Sequence, residues 1–97
     1  MRDASIQRFE YTYEAIWKLL KLYLYDCHGI DAASPKFCFR EVLKIGLITQ
    51  EQTEQGLIMT DDRNLTSHTY IEKIASLVYS RLASHAALMR VVAEKTV

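Results

Sequence analysis

The chain is predicted to fold as an all-α, antiparallel up-and-down four-helix bundle, and three observations carry that expectation. Apolar residues recur at alternating steps of three and four over two long segments. Helix start signals precede the last three of four helical segments. With three Gly and one Pro in 97 residues, little interrupts a helix, and no run alternates apolar and polar residues as a strand would.

The first helix is expected near residues 4 to 28. Ile6, Phe9, Tyr13, Ile16, Leu20, Tyr23 and Cys27 line one face, widened by Trp17 and Leu24, with Arg8, Glu10, Glu14, Lys18 and Lys21 as the solvated remainder. Gly29 suits its C-terminal cap. Ser34-Pro35 opens a second helix, near 35 to 45, because the hydroxyl can cap and Pro at the first helical position gives up an N–H that has no partner there anyway. Phe37, Phe39, Val42, Leu43 and Ile45 supply its apolar surface, and Gly46 stops it. Thr49 followed by Gln52 reads as a capping box for a third helix, near 50 to 65, whose apolar content of Leu57, Ile58 and Met59 makes it only weakly amphipathic. Thr69 followed by Glu72 reads as another capping box, from which Ile71, Ile74, Ala75, Val78, Leu82, His85, Leu88 and Val92 trace a fourth helix near 70 to 94. His85 falls on its apolar face and reads as a packed or interface residue.

Composition sets the outer bounds. Apolar residues make up 49% and charged residues 25%, which fits one globular domain over residues 1–97, near the size at which a single core is barely sufficient. A C2 homodimer would add buried surface. The formal net charge is zero, so contact with RNA must come from a local cluster and not from a global field. Cys27 and Cys38 are the only cysteines and no charged-then-apolar leader precedes them, which points to a reducing, cytoplasmic setting. No apolar run approaches the roughly 20 residues of a membrane span. Cys27, His28 and Cys38 match no compact zinc spacing, so the expectation is no metal and no cofactor.

The chemistry concentrates in Arg63-Asn64-Leu65-Thr66-Ser67-His68-Thr69-Tyr70, preceded by Asp61 and Asp62. A guanidinium donates to two phosphate oxygens at once, and an imidazole titrates near neutral pH as a general acid or base. At about 100° per residue, Arg63 and His68 would sit roughly 140° apart on an unbroken helix, on different faces. Either the helix ends between them, or each pairs with its counterpart from a second copy of the chain. The unpaired N–H groups at the start of the fourth helix would add to an anion site, with Ser67 and Thr69 as supporting donors. A surface Arg beside a capping His fits the same residue types.

Two stretches resemble the HEPN superfamily, in its branch of nucleotidyltransferase substrate-binding proteins: Ile6-Gln7-Arg8-Phe9-Glu10-Tyr11-Thr12-Tyr13-Glu14 with Trp17-Lys18, and Asp62 to Tyr70. The stretch from Asp62 is similar to the HEPN signature, an Arg and a polar residue followed, four to six positions after the Arg, by a His. With the Ser34-Pro35 helix start, the resemblance spans most of the chain. It implies a dimeric helical bundle in which Arg63 and His68 of both protomers meet in one cleft. Active members are metal-independent ribonucleases, many of them toxins encoded beside a minimal nucleotidyltransferase antitoxin. In one group a Tyr two residues past the His accepts AMP from that antitoxin, which silences the nuclease; here that residue is Tyr70. Two departures stand out. Members of the branch carry another long helix ahead of the Ile-Gln-Arg-Phe-Glu segment, whereas five residues precede Ile6 here, so the bundle is read as one that could lack the family's first helix and expose apolar faces on its first and last helices. Ile71 stands where a polar helix-starting residue is expected, which moves the cap to Thr69.

These readings lead to an endoribonuclease in which His68 acts as base or acid, Arg63 stabilises charge on the phosphoryl oxygens and Asn64 positions a hydrogen-bonding partner. The alternative is a non-catalytic partner subunit that holds a phosphate for a minimal nucleotidyltransferase. A third reading is a structural module in which Asp61 or Asp62 pairs with Arg63.

Overall fold

The computed structural model describes residues 4–96 and forms a four-helix bundle in the order α1 (Ala4–His28), α2 (Pro35–Lys44), α3 (Gln50–Leu65) and α4 (Glu72–Lys95), with a single 3₁₀ turn, Thr66–His68, between the last two. Each helix packs on its neighbours in sequence and α4 returns against α1.

The local signals for the first three helices act as their chemistry dictates. The Gly29 amide bonds to the Tyr25 carbonyl and the Ile30 amide to the Leu24 carbonyl, with Gly29 at φ +67°, so α1 ends in a left-handed cap that a side chain would strain. Ser34 Oγ accepts from the Phe37 amide at 3.3 Å with Pro35 in the first turn. Thr49 and Gln52 form the reciprocal box, Gln52 N to Thr49 Oγ1 at 3.1 Å and Thr49 N to Gln52 Oε1 at 2.9 Å. Gly46, at φ +80°, follows the end of α2.

At the fourth helix the expectation fails. The cap is Ile71, in extended backbone and without a side-chain hydrogen bond, and α4 begins at Glu72. Thr69 instead donates its hydroxyl to the Thr66 carbonyl at 3.2 Å. With its hydroxyl turned back to the 3₁₀ turn and α4 starting three residues later, Thr69 is not the cap.

The core is built from Phe9, Tyr13, Ile16, Leu20 and Leu24 of α1, Cys38, Phe39 and Val42 of α2, Met59 of α3, and Leu88, Met89 and Val92 of α4. Late in α1 the buried line moves to Leu24 and leaves Cys27 exposed, because a 3.6-residue period drifts away from alternating steps of three and four. Phe37 and Ile58, counted as apolar content of their helices, face solvent. The buried line of α3 is Thr53, Gly56, Met59, Thr60 and Asp62. That helix looks weakly amphipathic because its inner face is small and polar. Thr53 and Thr60 return their hydroxyls to carbonyls one turn back, at 2.9 and 3.0 Å, so they enter the core without an unpaired donor. Gly56 permits the α2–α3 approach: a Cβ there would lie 2.5 Å from the Phe39 ring.

Between α1 and α4 runs a groove of about 780 Å³ with Phe9, Ile16, Leu82, Ala86 and Met89 among its walls and Arg8 and Arg90 at its edges. It lies on the first and last helices, where apolar faces without a packing partner were expected. Among the described residues no helix is long and apolar enough to cross a membrane.

Candidate active site at the end of α3

Consecutive residues at the end of α3 reach different neighbours because each step along a helix turns the side chain by about 100°. Asp61, on the outside, pairs with Lys36 of α2 at 2.7 Å. Asp62 points inward, fully buried, and ties α3 to α4: Oδ1 accepts from Arg81 Nη1 at 2.9 Å and Oδ2 meets His85 Nε2 at 2.7 Å. Arg63 turns to α1, with Nη1 3.3 Å from Glu10 Oε2 and Nε 3.5 Å from Glu14 Oε1. The pairing of Arg63 with Asp61 or Asp62 that the sequence allowed is therefore overturned. Both acids have other partners, and α1 supplies the carboxylates.

His85 is the packed residue its position suggested. Its ring stacks on Phe9 with centroids 5.5 Å apart and its Nδ1 is buried without a hydrogen-bond partner. Donation from Nε2 to Asp62 leaves Nδ1 of a neutral ring as a bare acceptor, which is easier to bury unpaired than an N–H.

Thr66, at the first position of the 3₁₀ turn, joins Arg63 to Glu10. Its Oγ1 lies 2.7 Å from Glu10 Oε2, 3.2 Å from Arg63 Nη1 and 2.7 Å from the Arg63 carbonyl. One hydroxyl carries one proton, and the carboxylate is the stronger acceptor. Tyr13 closes the floor of this region: its hydroxyl meets Thr60 Oγ1 at 2.7 Å, and burial pushes its pKa up to about 12 against the lowering by that hydrogen bond.

Beyond Thr66 the chain comes to the surface. His68 ends the 3₁₀ turn and is exposed, Tyr70 is 80% exposed, and their rings meet edge to face with centroids 6.0 Å apart. A Tyr70 packed against the start of α4 is thus excluded. Asn64 is exposed, and its carbonyl accepts from Ser67 Oγ at 3.1 Å. Ser67 and Thr69 spend their hydroxyls on backbone carbonyls, which holds the turn in shape.

Of the two arrangements open from the 140° spacing, the helix ends between Arg63 and His68. The break does not bring the two side chains into contact: Arg63 leans on α1 while His68 faces solvent beside Tyr70. Sequence reasoning missed Glu10, Glu14 and Thr66 around Arg63, and Arg81 and His85 around Asp62. For Glu10 a signal existed, since it stands four residues after Ile6 and three before Tyr13, within the apolar face and not opposite it. The two cysteines differ: Cys27 is exposed, whereas Cys38 is buried and its thiol pKa is raised by desolvation. Among the described residues no three His, Cys, Asp or Glu side chains gather so as to hold a metal ion.

The chain matches, over residues 1–96, the family described as nucleotidyltransferase substrate binding protein like. It belongs to that family. This is the substrate-binding branch of the HEPN superfamily. A relative from Haemophilus influenzae (strain ATCC 51907 / DSM 11121 / KW20 / Rd), named Probable ribonuclease HepT, is 35% identical over 82 residues, which covers 80% of this chain and 55% of the relative. The chain thus spans about half the length of that relative. A crystal structure of a protein from Thermus thermophilus superposes with a TM-score of 0.91 at 45% identity, covering 94% of this chain and 76% of that one. The same four-helix arrangement is therefore present in that protein.

Proposed function

We propose that this chain acts as an endoribonuclease of a toxin–antitoxin pair, with Arg63 and His68 of two protomers forming one composite site and Tyr70 as the acceptor of AMP. The observation that carries the reading is the layout of the signature. Arg63 is held on α1 while His68 and Tyr70 stand exposed on the turn that follows, so a second protomer or a substrate can reach both rings. The relative named as a probable ribonuclease supports it.

In the proposed reaction His68 takes the proton from a ribose 2′-OH, and the oxygen attacks the adjacent phosphorus. Arg63 stabilises the charge that builds on the phosphoryl oxygens, and Asn64 orients a hydrogen-bonding group of the RNA. The bond from phosphorus to the 5′-oxygen breaks, and the partner's His68, protonated, returns a proton to the leaving oxygen. The products are a 2′,3′-cyclic phosphate and a 5′-hydroxyl, and no step calls for a metal. Regulation would come from a minimal nucleotidyltransferase: the Tyr70 hydroxyl attacks the α-phosphate of ATP and pyrophosphate leaves. The added phosphodiester charge and nucleoside then obstruct the RNA phosphate.

The test is cleavage of RNA by the purified protein in EDTA, with product ends identified by mass. A cyclic phosphate, lost with His68→Ala and with Arg63→Lys, is the expected result; cutting that needs a divalent ion or survives both changes overturns it. Incubation with the cognate nucleotidyltransferase, ATP and Mg²⁺ is expected to add one AMP that Tyr70→Phe prevents. Light scattering is expected to show a dimer.

One observation favours the non-catalytic reading, a subunit that holds a nucleotide for its nucleotidyltransferase. Two carboxylates contact Arg63 and compete with a phosphate for its donors, so its grip on a phosphate is weakened. That reading expects a mononucleotide to bind, more weakly in Arg63→Lys, and RNA to stay intact.

A further inference from the structure

A carboxylate inside a small helical bundle needs a reason to be there, since an ionised group taken out of water must be matched by a cation or by donors. Glu10 is 6% exposed, one residue after the core Phe9, and it faces the end of α3. Its Oε2 receives Arg63 Nη1 at 3.3 Å and the Thr66 hydroxyl at 2.7 Å, and Thr66 in turn lies 3.2 Å from the same Nη1. Three atoms from three elements thus close a triangle around one edge of the guanidinium. Arg63 Nε, buried and without a hydrogen bond, is approached by Glu14 at 3.5 Å. These contacts engage Nη1 and Nε, which leaves further N–H donors of the fork to meet a ligand.

We propose that Glu10, with Thr66 as its bridge, is the positioning residue of Arg63: it fixes the guanidinium on α1 so that its remaining donors meet a phosphate from one direction. The proposal rests on reading Arg63 as the phosphate-binding residue. A flexible Arg would have to lose several rotamers on meeting each substrate, and the Glu10–Thr66 pair removes that freedom in advance. The same carboxylate lowers the local positive potential, so Glu10 sets geometry and weakens the general attraction to anions at once. The two effects separate by substitution. Glu10→Ala frees the guanidinium and strips the charge, whereas Glu10→Gln keeps an oxygen acceptor at the same reach and strips only the charge.

Two measurements on the full chain test this. In ¹⁵N-labelled protein the Arg63 Nε–Hε resonance is expected to stand apart and exchange slowly with solvent, and to merge with those of exposed arginines in Glu10→Ala and in Thr66→Val. Glu10→Gln is expected to retain most of the protection. In the cleavage assay Glu10→Ala is expected to lower kcat about 10- to 100-fold with KM unchanged or lower, and Glu10→Gln to recover most of kcat. An Arg63 resonance that is unmoved in both Glu10→Ala and Thr66→Val overturns the proposal, as does a kcat loss that only tracks the unfolded fraction. Wild-type protein that cuts no RNA would end the ribonuclease reading alone, since the resonance still decides whether Glu10 holds Arg63. Should Glu10→Ala fail to fold, Thr66→Val and Glu10→Gln carry the same comparison.

Discussion

Arg63 and His68 are five residues apart in one signature, yet they belong to two different kinds of surface. Arg63 sits in a network of charged and polar groups: Glu10, Glu14 and Thr66 hold it from α1 and the 3₁₀ turn, while its neighbour Asp62 is locked to Arg81 and His85 on α4. His68 stands in the open with its ring against the Tyr70 phenol. The contrast is one of support within eight residues. One end of the signature is organised by its own bundle, so changing it disturbs folding. The other end is displayed outward, so changing it leaves the core untouched.

The largest effect that can break this comparison lies at Asp62. Asp62→Ala leaves buried His85 without its partner while the half-exposed Arg81 can turn to water, and a loss of about 3 kcal/mol is expected in urea unfolding. A loss below about 1 kcal/mol would mean that the α3–α4 contact rests on apolar packing alone.

Next comes the pair at the heart of the contrast. Arg63→Ala removes a cation from beside buried Glu10 and is expected to cost about 2 kcal/mol, whereas His68→Ala, at an exposed turn, is expected to stay within about 0.5 kcal/mol of the parent. Equal effects on the unfolding midpoint would erase the distinction between the two ends. For this reason Arg63→Lys is the better probe of activity, since it keeps a cation near Glu10.

The smallest effect appears only in alkali. Below pH 10 the Tyr13 phenol is neutral in the folded and unfolded chains alike. Between about 10 and about 12 the unfolded chain gives up its proton while the buried phenol keeps it, so stability falls as pH rises through that window. Tyr13→Phe is expected to flatten that part of a stability–pH profile, and an unchanged slope would show that the phenol does not sense its burial beside Thr60.

Much of the bundle could be read in the sequence because its signals are local. Ser34-Pro35, Thr49 with Gln52, and Gly29 each act within a turn of the residues they cap, and all three perform the expected bond. The start of α4 escaped because its competitor is also local: the Thr69 hydroxyl donates to a carbonyl of the 3₁₀ turn, and the cap falls on Ile71. The signature itself was legible residue by residue, Arg63, His68 and Tyr70 standing at their spacings. Its partners were not, because Glu10 and Thr66 lie 56 residues apart and meet only across the bundle.

The sequence by itself determined the four helices and the faces that carry Ile6, Phe9, Tyr13, Val78, Leu88 and Val92 inward. Those follow from a 3.6-residue period and from side-chain types, which act over one or two turns. Only the tertiary structure decided which acid meets which base. Asp61, Asp62, Glu10 and Glu14 are chemically alike, and four cationic or imidazole groups, Lys36, Arg63, Arg81 and His85, compete for them. Coulomb attraction has no sequence address; the rotation of about 100° between Asp62 and Arg63, and the helices that happen to pack on either side, assign each charge its partner.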